Sequence, residues 1–557
     1  MNHSSQRRTL IFSILLFLAA FGGVIGGRII EQRSYGHKLQ QISALLGSPQ
    51  DKVSSTLSFI DKYYIDSVSR DSIIEALMPH IFDQLDPHSI YIPAEEMPEM
   101  NESLEGEFDG IGVVFNMATD TVIVINVIPS GPSDKAGMRG GDRIVMINDS
   151  LVAGVKFPQN DVMKLLRGKR GTTVKLGVER QGASELLEVE VTRDVIPIKS
   201  IQSSIILRDS IGYIKMLQFA RTTHSEIVEA IDKLEQQGMR SLILDLRGNS
   251  GGYLDQAISI ANELLPSDNL IVYTEDRDGR QQREYSDGKG RITDLDIVIL
   301  IDEGSASSSE ILAGALQDND RGTIIGRRSF GKGLVQQQVP FGDGSAMRLT
   351  IARYYTPTGR SIQKSYTNGD NDSYQEDMIN RYAMGELFVA DSIHFVDSLK
   401  KVTPKGKVVY GGGGIMPDIF VPADTTDVTR YYIEVSARNI LYNFTTKYAD
   451  AHRDAINSVT SFEELDSLFA SDTELFNNFI TYASQKGVKP VWSQINRSRK
   501  ILEAQLKAYI GRNTPLDDDA FYHNIYPIDV TVLKAIETLE NQTIEELREG
   551  QITQKEE

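Results

Sequence analysis

Two stretches of the chain share one pattern, in which an apolar run leads through a short turn into an amphipathic helix. The run Ser241–Leu246 is followed by the turn Arg247–Gly252 and by apolar residues at helical spacing from Leu254 onward. The run Leu295–Ile301 passes in the same way through Asp302–Gly304 into a helical pattern. Continuous apolar runs rich in β-branched residues are typical of strands that are covered on both faces. The repeated pattern therefore predicts an α/β core.

The first turn, Arg247–Gly252, is rich in glycine. Such turns often bind phosphate, but this one lacks the Gly-Lys-Ser/Thr ending and the G-x-G-x-x-G spacing of nucleotide-binding loops. A turn whose backbone N–H groups approach an oxyanion fits the sequence better.

The second turn carries a candidate nucleophile, Ser307, and a candidate base, Lys332, follows 25 residues later. A serine hydroxyl needs a neighbour that takes its proton, and a lysine can do so only when burial lowers its pKa. Ser307 lies where the predicted strand passes into a helix N-terminus, and the free N–H groups there favour developing negative charge. Gln336 is four residues beyond Lys332 on a predicted strand, so both side chains face the same side and the glutamine can hold the amine.

Each half of this pair also has a purely structural explanation. Serines and a glycine before a helix commonly form an N-cap, and a lysine between two glycines is commonly a solvated loop tip. Only the combination of the two predicts catalysis.

Three blocks resemble the signature blocks of the C-terminal processing, or tail-specific, serine peptidases in order and spacing. They are Asp245–Gly252, Gly304–Glu310 and Phe330–Gly333 with Gln336. The resemblance implies Ser307 as nucleophile, Lys332 as general base and Gln336 as the residue that orients the lysine. It also implies an oxyanion hole formed by the backbone N–H groups of Gly252 and Ser308. The family usually has alanine where this chain has Ser308, so three consecutive serines occur here.

Residues 104–195 resemble a PDZ domain, chiefly through the blocks Gly131–Gly137 and Gly141–Asn148. In such domains a glycine-rich loop offers backbone N–H groups to a chain-terminal carboxylate, while the peptide adds as a strand beside the sheet. The matching loop here is Gly110, Ile111 and Gly112. Alternatively, these glycines only form turns between strands.

Two histidines raise the alternative of a Ser-His-Asp hydrolase. His88 lies in the block Leu85–Pro93, which also resembles the family, and His224 lies at a predicted helix start. A histidine after Asp-Pro is commonly a turn or packing residue, so neither is assigned to catalysis.

The whole chain is predicted to be an α/β multidomain protein. Its predicted parts are a signal peptide or signal anchor (1–30), an N-terminal helical region (31–103), the PDZ domain (104–195), a crotonase-like α/β peptidase core (196–424) and a mostly helical C-terminal extension (425–557). The extension lies outside the region that the family shares. Packing on the core, formation of a homo-oligomer and binding of an adaptor protein would each explain it.

The N-terminus predicts export. Arg7 and Arg8 precede an apolar run from Leu10 to Gly27, which is at the short limit for a membrane span. It is either a signal peptide or a membrane anchor, and both place the rest of the chain on the periplasmic side of a bacterial cell envelope. The chain has no cysteine, which excludes structural disulfides and a lipid-modified cysteine. Its formal net charge of −19 argues against nucleic acid as a partner.

These features together predict an envelope serine endopeptidase that recognises substrate C-termini through its PDZ domain and cuts through Ser307 and Lys332. The expected partners are proteins or peptides with accessible C-termini, and the family resemblance implies that these are apolar. No metal or organic cofactor is expected. Two alternatives belong to other classes: a catalytically silent PDZ scaffold that binds partner C-termini, and a crotonase-type acyl-thioester enzyme with a coenzyme pocket.

Overall fold

The structure is a computed structural model that describes residues 52–117, 120–180, 182–208, 210–394 and 396–541. The predicted signal segment, residues 1–30, lies outside these ranges. The chain divides into two compact units, Met1–Phe82 and Asp83–Glu557. The described part of the first unit consists of two helices, α1 (Lys52–Tyr63) and α2 (Arg70–Phe82). Among the described residues, no helix has both the length and the apolar character needed to cross a membrane.

The second unit begins with β1 (Ile90–Ile92) and α3 (Met97–Glu105) and continues into a small β-rich module. The elements of this module are β2 (Glu107–Gly110), β3 (Val113–Asn116), β4 (Val122–Val127), α4 (Pro132–Lys135), β5 (Arg143–Ile147), β6 (Ser150–Leu151), α5 (Gln159–Leu166), β7 (Thr173–Glu179), β8 (Leu187–Thr192) and β9 (Asp194–Pro197). The antiparallel sheet has the order β3-β4-β5-β7-β8 with β6 on β5, and β2 pairs with β9 where the chain enters and leaves. Val174, Leu176 and Val178 of β7 share one core with Val162 and Leu166 of α5.

A larger α/β region follows. Its elements are β10 (Ile201–Ile206), β11 (Ile211–Met216), α6 (Thr223–Gln236), β12 (Ser241–Asp245), α7 (Leu254–Leu264), β13 (Leu270–Asp276), β14 (Gln281–Tyr285), β15 (Asp296–Ile301), α8 (Ser308–Asp318), β16 (Thr323–Gly326), β17 (Leu334–Pro340), β18 (Ala346–Tyr355), α9 (Asn371–Ala383), β19 (Lys400–Val402), β20 (Val408–Tyr410) and β21 (Ile419–Phe420). The main sheet has the order β10-β11-β12-β15-β16-β21, and every pair except β10 with β11 is parallel. The two strand–turn–helix patterns of the sequence are β12 with α7 and β15 with α8, on neighbouring strands.

Both faces of the main sheet are covered, which explains why its central strands are continuously apolar. Leu242 and Leu244 share a core with residues of α6, α7 and α8. Ile243 lies in a different core, with Val532 and Ile536 from the helical residues 530–541 at the C-terminal end. Fully burying a side chain of this kind contributes roughly 1.5–3 kcal/mol.

A second sheet has the order β1-β18-β13-β14, and β17 also pairs with β18. Antiparallel pairing of β1 with β18 brings the block Leu85–Pro93 close to β17. This is how a segment from before the PDZ-like module reaches the region that contains Lys332.

The C-terminal extension is helical over its described residues, as predicted. Its helices are α10 (Arg430–Ala437), α11 (Ile440–Ala451), α12 (Arg453–Asn457), α13 (Phe462–Ser471), α14 (Leu475–Gln485), α15 (Trp492–Gly511) and α16 (Asp517–Ile525), followed by helical residues 530–541. Most of these helices enclose a core of their own, which includes Phe479 and Leu502. The final helix instead packs on the main sheet.

Candidate active site

The turn between β15 and α8 holds Ser307 with φ 55° and ψ −115°. Positive φ is sterically unfavourable for a residue with a Cβ atom and costs roughly 1–3 kcal/mol. The turn is fixed by bonds to the β12–α7 connection. The Ser305 hydroxyl donates to the Leu246 carbonyl at 2.8 Å, and the Ala306 N–H donates to the Asn249 carbonyl at 3.0 Å. The two strand–turn–helix units therefore meet at Ser307.

The three consecutive serines have different surroundings. The Ser308 hydroxyl is buried and donates to the Gly252 carbonyl at 2.9 Å. The Ser309 hydroxyl is also buried and donates to the Asn249 carbonyl at 2.9 Å. Ser307 is the one of the three that keeps partial exposure to solvent. Ser308 thus joins the helix start to the glycine turn, and Ser307 is the serine of the three that is not buried.

The glycine turn lies directly against Ser307 and Ser308. Gly251 has φ 100°, and a Cβ atom on it would lie 2.7 Å from the Ser307 Cβ and 2.9 Å from the Ser308 nitrogen. Gly252 has φ 149°, and a Cβ there would lie 2.1 Å from the Phe219 carbonyl oxygen. Because α8 begins at Ser308, the N–H of Ser308 has no acceptor within its own helix. The structure therefore brings together the two residues predicted to form an oxyanion hole.

Lys332 precedes β17, and Gln336 lies within it. The Lys332 Nζ donates to Gln336 Oε1 at 3.0 Å. The Gln336 amide in turn donates to the carbonyl of His88. Burial lowers the pKa of Lys332, and the positive charge of Arg348 lowers it further, while Glu310 and Asp86 act in the opposite direction. Burial and Arg348 both shift the equilibrium of the amine towards the neutral form that a base requires.

Two buried groups, Glu310 and Tyr354, tie the serine turn to the lysine loop. Glu310 Oε2 accepts from the backbone N–H groups of Ser307 and Lys332, each at 2.9 Å. Its Oε1 accepts from the Ser329 hydroxyl at 2.5 Å and from the Gly331 N–H at 2.8 Å. The Tyr354 hydroxyl lies within hydrogen-bond reach of the carbonyls of Ser307 and Lys332. Burial raises the pKa of Glu310 to about 7, against the effect of its four donors.

From the sequence, Glu310 is identified only as the last residue of a signature block, and Tyr354 is not identified. The spacing Ser307-x-x-Glu310 is a capping-box pattern, which is a signal for the bond between the glutamate side chain and the Ser307 N–H. Tyr354 lies on β18, far from both blocks in sequence, and nothing in the blocks indicates it.

The region with this geometry matches known families. Residues 210–372, which contain both turns and Lys332, match the model of peptidase family S41, and residues 110–191 match the PDZ domain. The carboxy-terminal-processing protease of Bartonella bacilliformis is 38% identical over 305 residues, which cover 54% of this chain and 69% of that protein. The carboxy-terminal processing protease CtpA of Bacillus subtilis is 32% identical over 64% of this chain and 76% of that protein. The chain belongs to peptidase family S41.

Within this family it is a C-terminal processing serine protease with a PDZ domain. Among solved structures, the photosystem II D1 C-terminal processing protease aligns with 69% of this S41 chain and 89% of its own, at 25% identity and a TM-score of 0.35. Residues 431–514, within the helical extension, match a family of unknown function, DUF8443.

The PDZ domain of this S41 protease has its predicted loop at the start of the edge strand β3. Gly110 closes β2 opposite Asp194, Ile111 is buried, and Gly112 has φ 73°. The Ile111 carbonyl accepts from the N–H of Ser133 at 3.0 Å, which fixes the loop against α4. β3 is the last strand of the sheet and pairs with β4 on one side.

The two candidate histidines, His88 and His224, are hydrogen-bonded to residues other than Ser307. His88 Nε2 is hydrogen-bonded to the Tyr374 hydroxyl at 2.8 Å, and burial together with Lys332 lowers the His88 pKa to about 4. His224 Nε2 lies 2.9 Å from Glu263 Oε1, on helices α6 and α7. Among the described residues, no group of three His, Asp or Glu side chains is arranged to hold a metal ion.

Proposed function

We propose that this S41 protease is an endopeptidase that hydrolyses peptide bonds with Ser307 and Lys332 and selects its substrates by their C-termini. The observation that carries the catalytic part is that Glu310 Oε2 accepts from the backbone N–H groups of both residues, which holds the backbones of the partly buried serine and the partly buried lysine close together. Ser308 and Ser309 are buried and Ser307 is not, which supports Ser307 over its neighbours.

The proposed reaction needs only groups of this chain and water. Neutral Lys332 takes the hydroxyl proton of Ser307 as the Ser307 Oγ attacks the scissile carbonyl carbon. The N–H groups of Gly252 and Ser308 stabilise the oxyanion, and the Lys332 ammonium then protonates the leaving amine. Water attacks the resulting ester with Lys332 again as base, which releases the acid and restores the serine. Gln336 keeps the amine directed, because its own amide is held by the His88 carbonyl.

The PDZ domain supplies the proposed selection. A substrate C-terminus would add as a strand to the open edge of β3, with its carboxylate at the N–H groups of the loop 110–112. The apolar run after Arg7 and Arg8 supports a periplasmic location with a cleaved signal or a membrane anchor. An adaptor protein and a homo-oligomer stay predictions from the sequence.

Cleavage of an unfolded protein with an apolar C-terminus tests the proposal. The full chain in detergent is compared with Ser307→Ala and Lys332→Ala, with Lys401→Ala as a control because Lys401 is exposed on β19. We expect both site variants to lose roughly 10⁴-fold or more in rate, and the control to match the wild type. An otherwise identical substrate with a C-terminal amide should be cut more slowly, because it lacks the terminal carboxylate.

Equal cutting by wild type and Lys332→Ala would overturn the assignment of the base. No cutting by the wild type, with binding of the apolar tail intact, would favour the silent scaffold instead.

A further inference from the structure

The helical C-terminal extension reaches the glycine turn of the active site through one carboxylate. Asp529 accepts from the Arg247 guanidinium through both oxygens, Nη1 to Oδ1 at 3.0 Å and Nη2 to Oδ2 at 2.8 Å. Arg247 is the first residue of the turn that ends at Gly252. Two parallel bonds of this kind fix the orientation of a guanidinium as well as its position.

Asp529 is itself held rigidly. Its Oδ1 accepts from the N–H groups of Thr531 at 3.0 Å and Val532 at 3.2 Å, so it caps the helix of residues 530–541. That helix packs on the main sheet through Val532 and Ile536. The carboxylate is thus fixed relative to β12, the strand that leads into the turn.

Asp529 also balances the charge of a buried cluster. Fully buried Asp245 contacts two cations, Lys215 at 3.2 Å and Arg247 at 2.6 Å. Without Asp529 this cluster would hold two positive charges and one negative charge in a largely water-free site, which is costly. The peptidase core therefore supplies three of the four charges, Lys215, Asp245 and Arg247, and the extension supplies the fourth, Asp529.

The turn needs such external support because its glycines provide none. Gly248, Gly251 and Gly252 all have positive φ, and glycine loses the most conformational freedom when one backbone conformation is imposed. The turn begins at Arg247, whose carbonyl accepts from Lys215 Nζ at 2.5 Å and whose side chain lies between Asp245 and Asp529. Displacement of Arg247 would therefore change the direction of the N–H groups further along the turn.

We propose that Asp529 is a positioning residue for the oxyanion hole, acting through Arg247 on the glycine turn. The inference rests on the proposed role of Gly252 in catalysis. It gives the extension a part in the reaction as well as in packing, through a residue that follows the segment 431–514 matched by the family of unknown function.

Two substitutions separate this role from the capping of the helix. Asp529→Asn keeps a good N-cap but removes the charge that faces Arg247, whereas Asp529→Glu keeps the charge and weakens the cap. Asp519→Asn is the matched control, because Asp519 joins the same extension to β10 and α6 through Ser203, Ser204 and Lys233, away from the turn. All variants are made in the full chain, and peptide hydrolysis is normalised to the folded fraction.

We expect Asp529→Asn to lower kcat about tenfold with KM within twofold of wild type, which is the signature of an interaction made in the transition state. Inhibition by a peptide boronate, whose adduct with serine is tetrahedral, should weaken by a similar factor. Binding of the same peptide without the boronate should be unchanged. Asp529→Glu should keep kcat within threefold and lose thermal stability, and Asp519→Asn should keep wild-type kcat.

Wild-type kcat and boronate inhibition in Asp529→Asn would overturn the inference. Equal losses of kcat in Asp529→Asn and Asp519→Asn would also overturn it, because the effect would then be a general one of docking the extension. Failure of the proposed function can be distinguished from failure of this inference. It would appear as retained hydrolysis in Ser307→Ala or Lys332→Ala, independently of the Asp529 variants.

Discussion

The two strand–turn–helix units of the main sheet are alike in sequence pattern but differ in how their turns are held. Besides its bonds to the glycine turn, the serine turn between β15 and α8 has a support that is close in sequence, because Glu310, three residues after Ser307, accepts hydrogen bonds from four donors within residues 307–332. The glycine turn after β12 has a nearby support in Asp245, which contacts Arg247, but it depends more on distant partners: the Gly248 N–H donates to Asp302, the Asn249 side-chain amide donates to the Met216 carbonyl, and Arg247 contacts Asp529.

The difference follows from what each turn presents. The serine turn presents a side chain, so one strained residue needs to be held, and the buried Glu310 carboxylate at the helix start adds to the bonds from the glycine turn. The glycine turn presents backbone N–H groups, so a run of flexible residues must be fixed by partners on other strands. Substitutions in the two turns should therefore fail for different reasons.

Among substitutions that test how the two turns are held, the largest effect is expected at Gly252. Gly252→Ala would place a Cβ atom 2.1 Å from the Phe219 carbonyl oxygen, and neither backbone can move without disturbing the turn. We expect kcat/KM for peptide hydrolysis to fall at least 100-fold, comparable to the loss of one oxyanion donor.

Gly248→Ala is the control within the same turn. Gly248 has φ 69°, but no atom lies within 4 Å of an added Cβ, so only conformational strain of about 1 kcal/mol is expected. Activity of Gly248→Ala should stay within a few-fold of wild type. A small effect at Gly252, or equal effects at the two glycines, would show that the turn does not depend on close packing.

Glu310→Gln tests the local support of the serine turn. Each carboxylate oxygen of Glu310 accepts two hydrogen bonds. Whichever way the amide of the variant is oriented, its NH₂ group replaces one of these oxygens, and two donors lose their acceptor. We expect roughly 2–3 kcal/mol of destabilisation and a fall in kcat of about 100-fold, measured by thermal unfolding and peptide hydrolysis. Glu303→Gln, on the same turn but paired with Arg327 nearer the surface, should cost less than about 1 kcal/mol. Full activity in Glu310→Gln would mean that the Glu310 carboxylate is not needed to hold the serine turn.

The same contrast explains what could be predicted from the sequence. The strands, the turns, the helix starts and the spacing of Lys332 to Gln336 depend on neighbours in the chain, so their residue patterns predict them. Glu310 leaves a local trace in its capping-box spacing. Asp529 and Tyr354 leave none, because their contacts with the site arise only when distant strands and the final helix pack together. The proximity of the His88 carbonyl to Gln336 likewise depends on the pairing of β1 with β18.

A smaller effect is expected from the charge around Lys332. Arg348→Met removes a cation that lowers the Lys332 pKa, so the pKa should rise and less of the amine should be neutral at pH 7. The rate should then fall several-fold at neutral pH, and the rising limb of the pH–rate profile should move to higher pH. Arg353→Met on the same strand is the control, because Arg353 interacts with Tyr366 and Glu275. If the rising limb of the pH–rate profile stays at the same pH in Arg348→Met, a group other than Lys332 controls this limb.

The smallest effect is expected at Ser308, where the family resemblance of the sequence implies alanine. Ser308→Ala removes the bond to the Gly252 carbonyl that joins the two turns, which should lower stability by about 1 kcal/mol and leave kcat within twofold. Ser309→Ala, which loses a bond of the same length to the Asn249 carbonyl, is the matched control. Measurement of kcat and the unfolding midpoint in both variants separates the hydroxyls that hold the turns from the one that reacts. Loss of hydrolysis in Ser308→Ala would mean that the link between the turns matters to catalysis as much as the support within each turn, or that Ser307 is not the nucleophile. Covalent labelling of Ser307 by a serine-reactive phosphonate in that variant would decide between these two explanations.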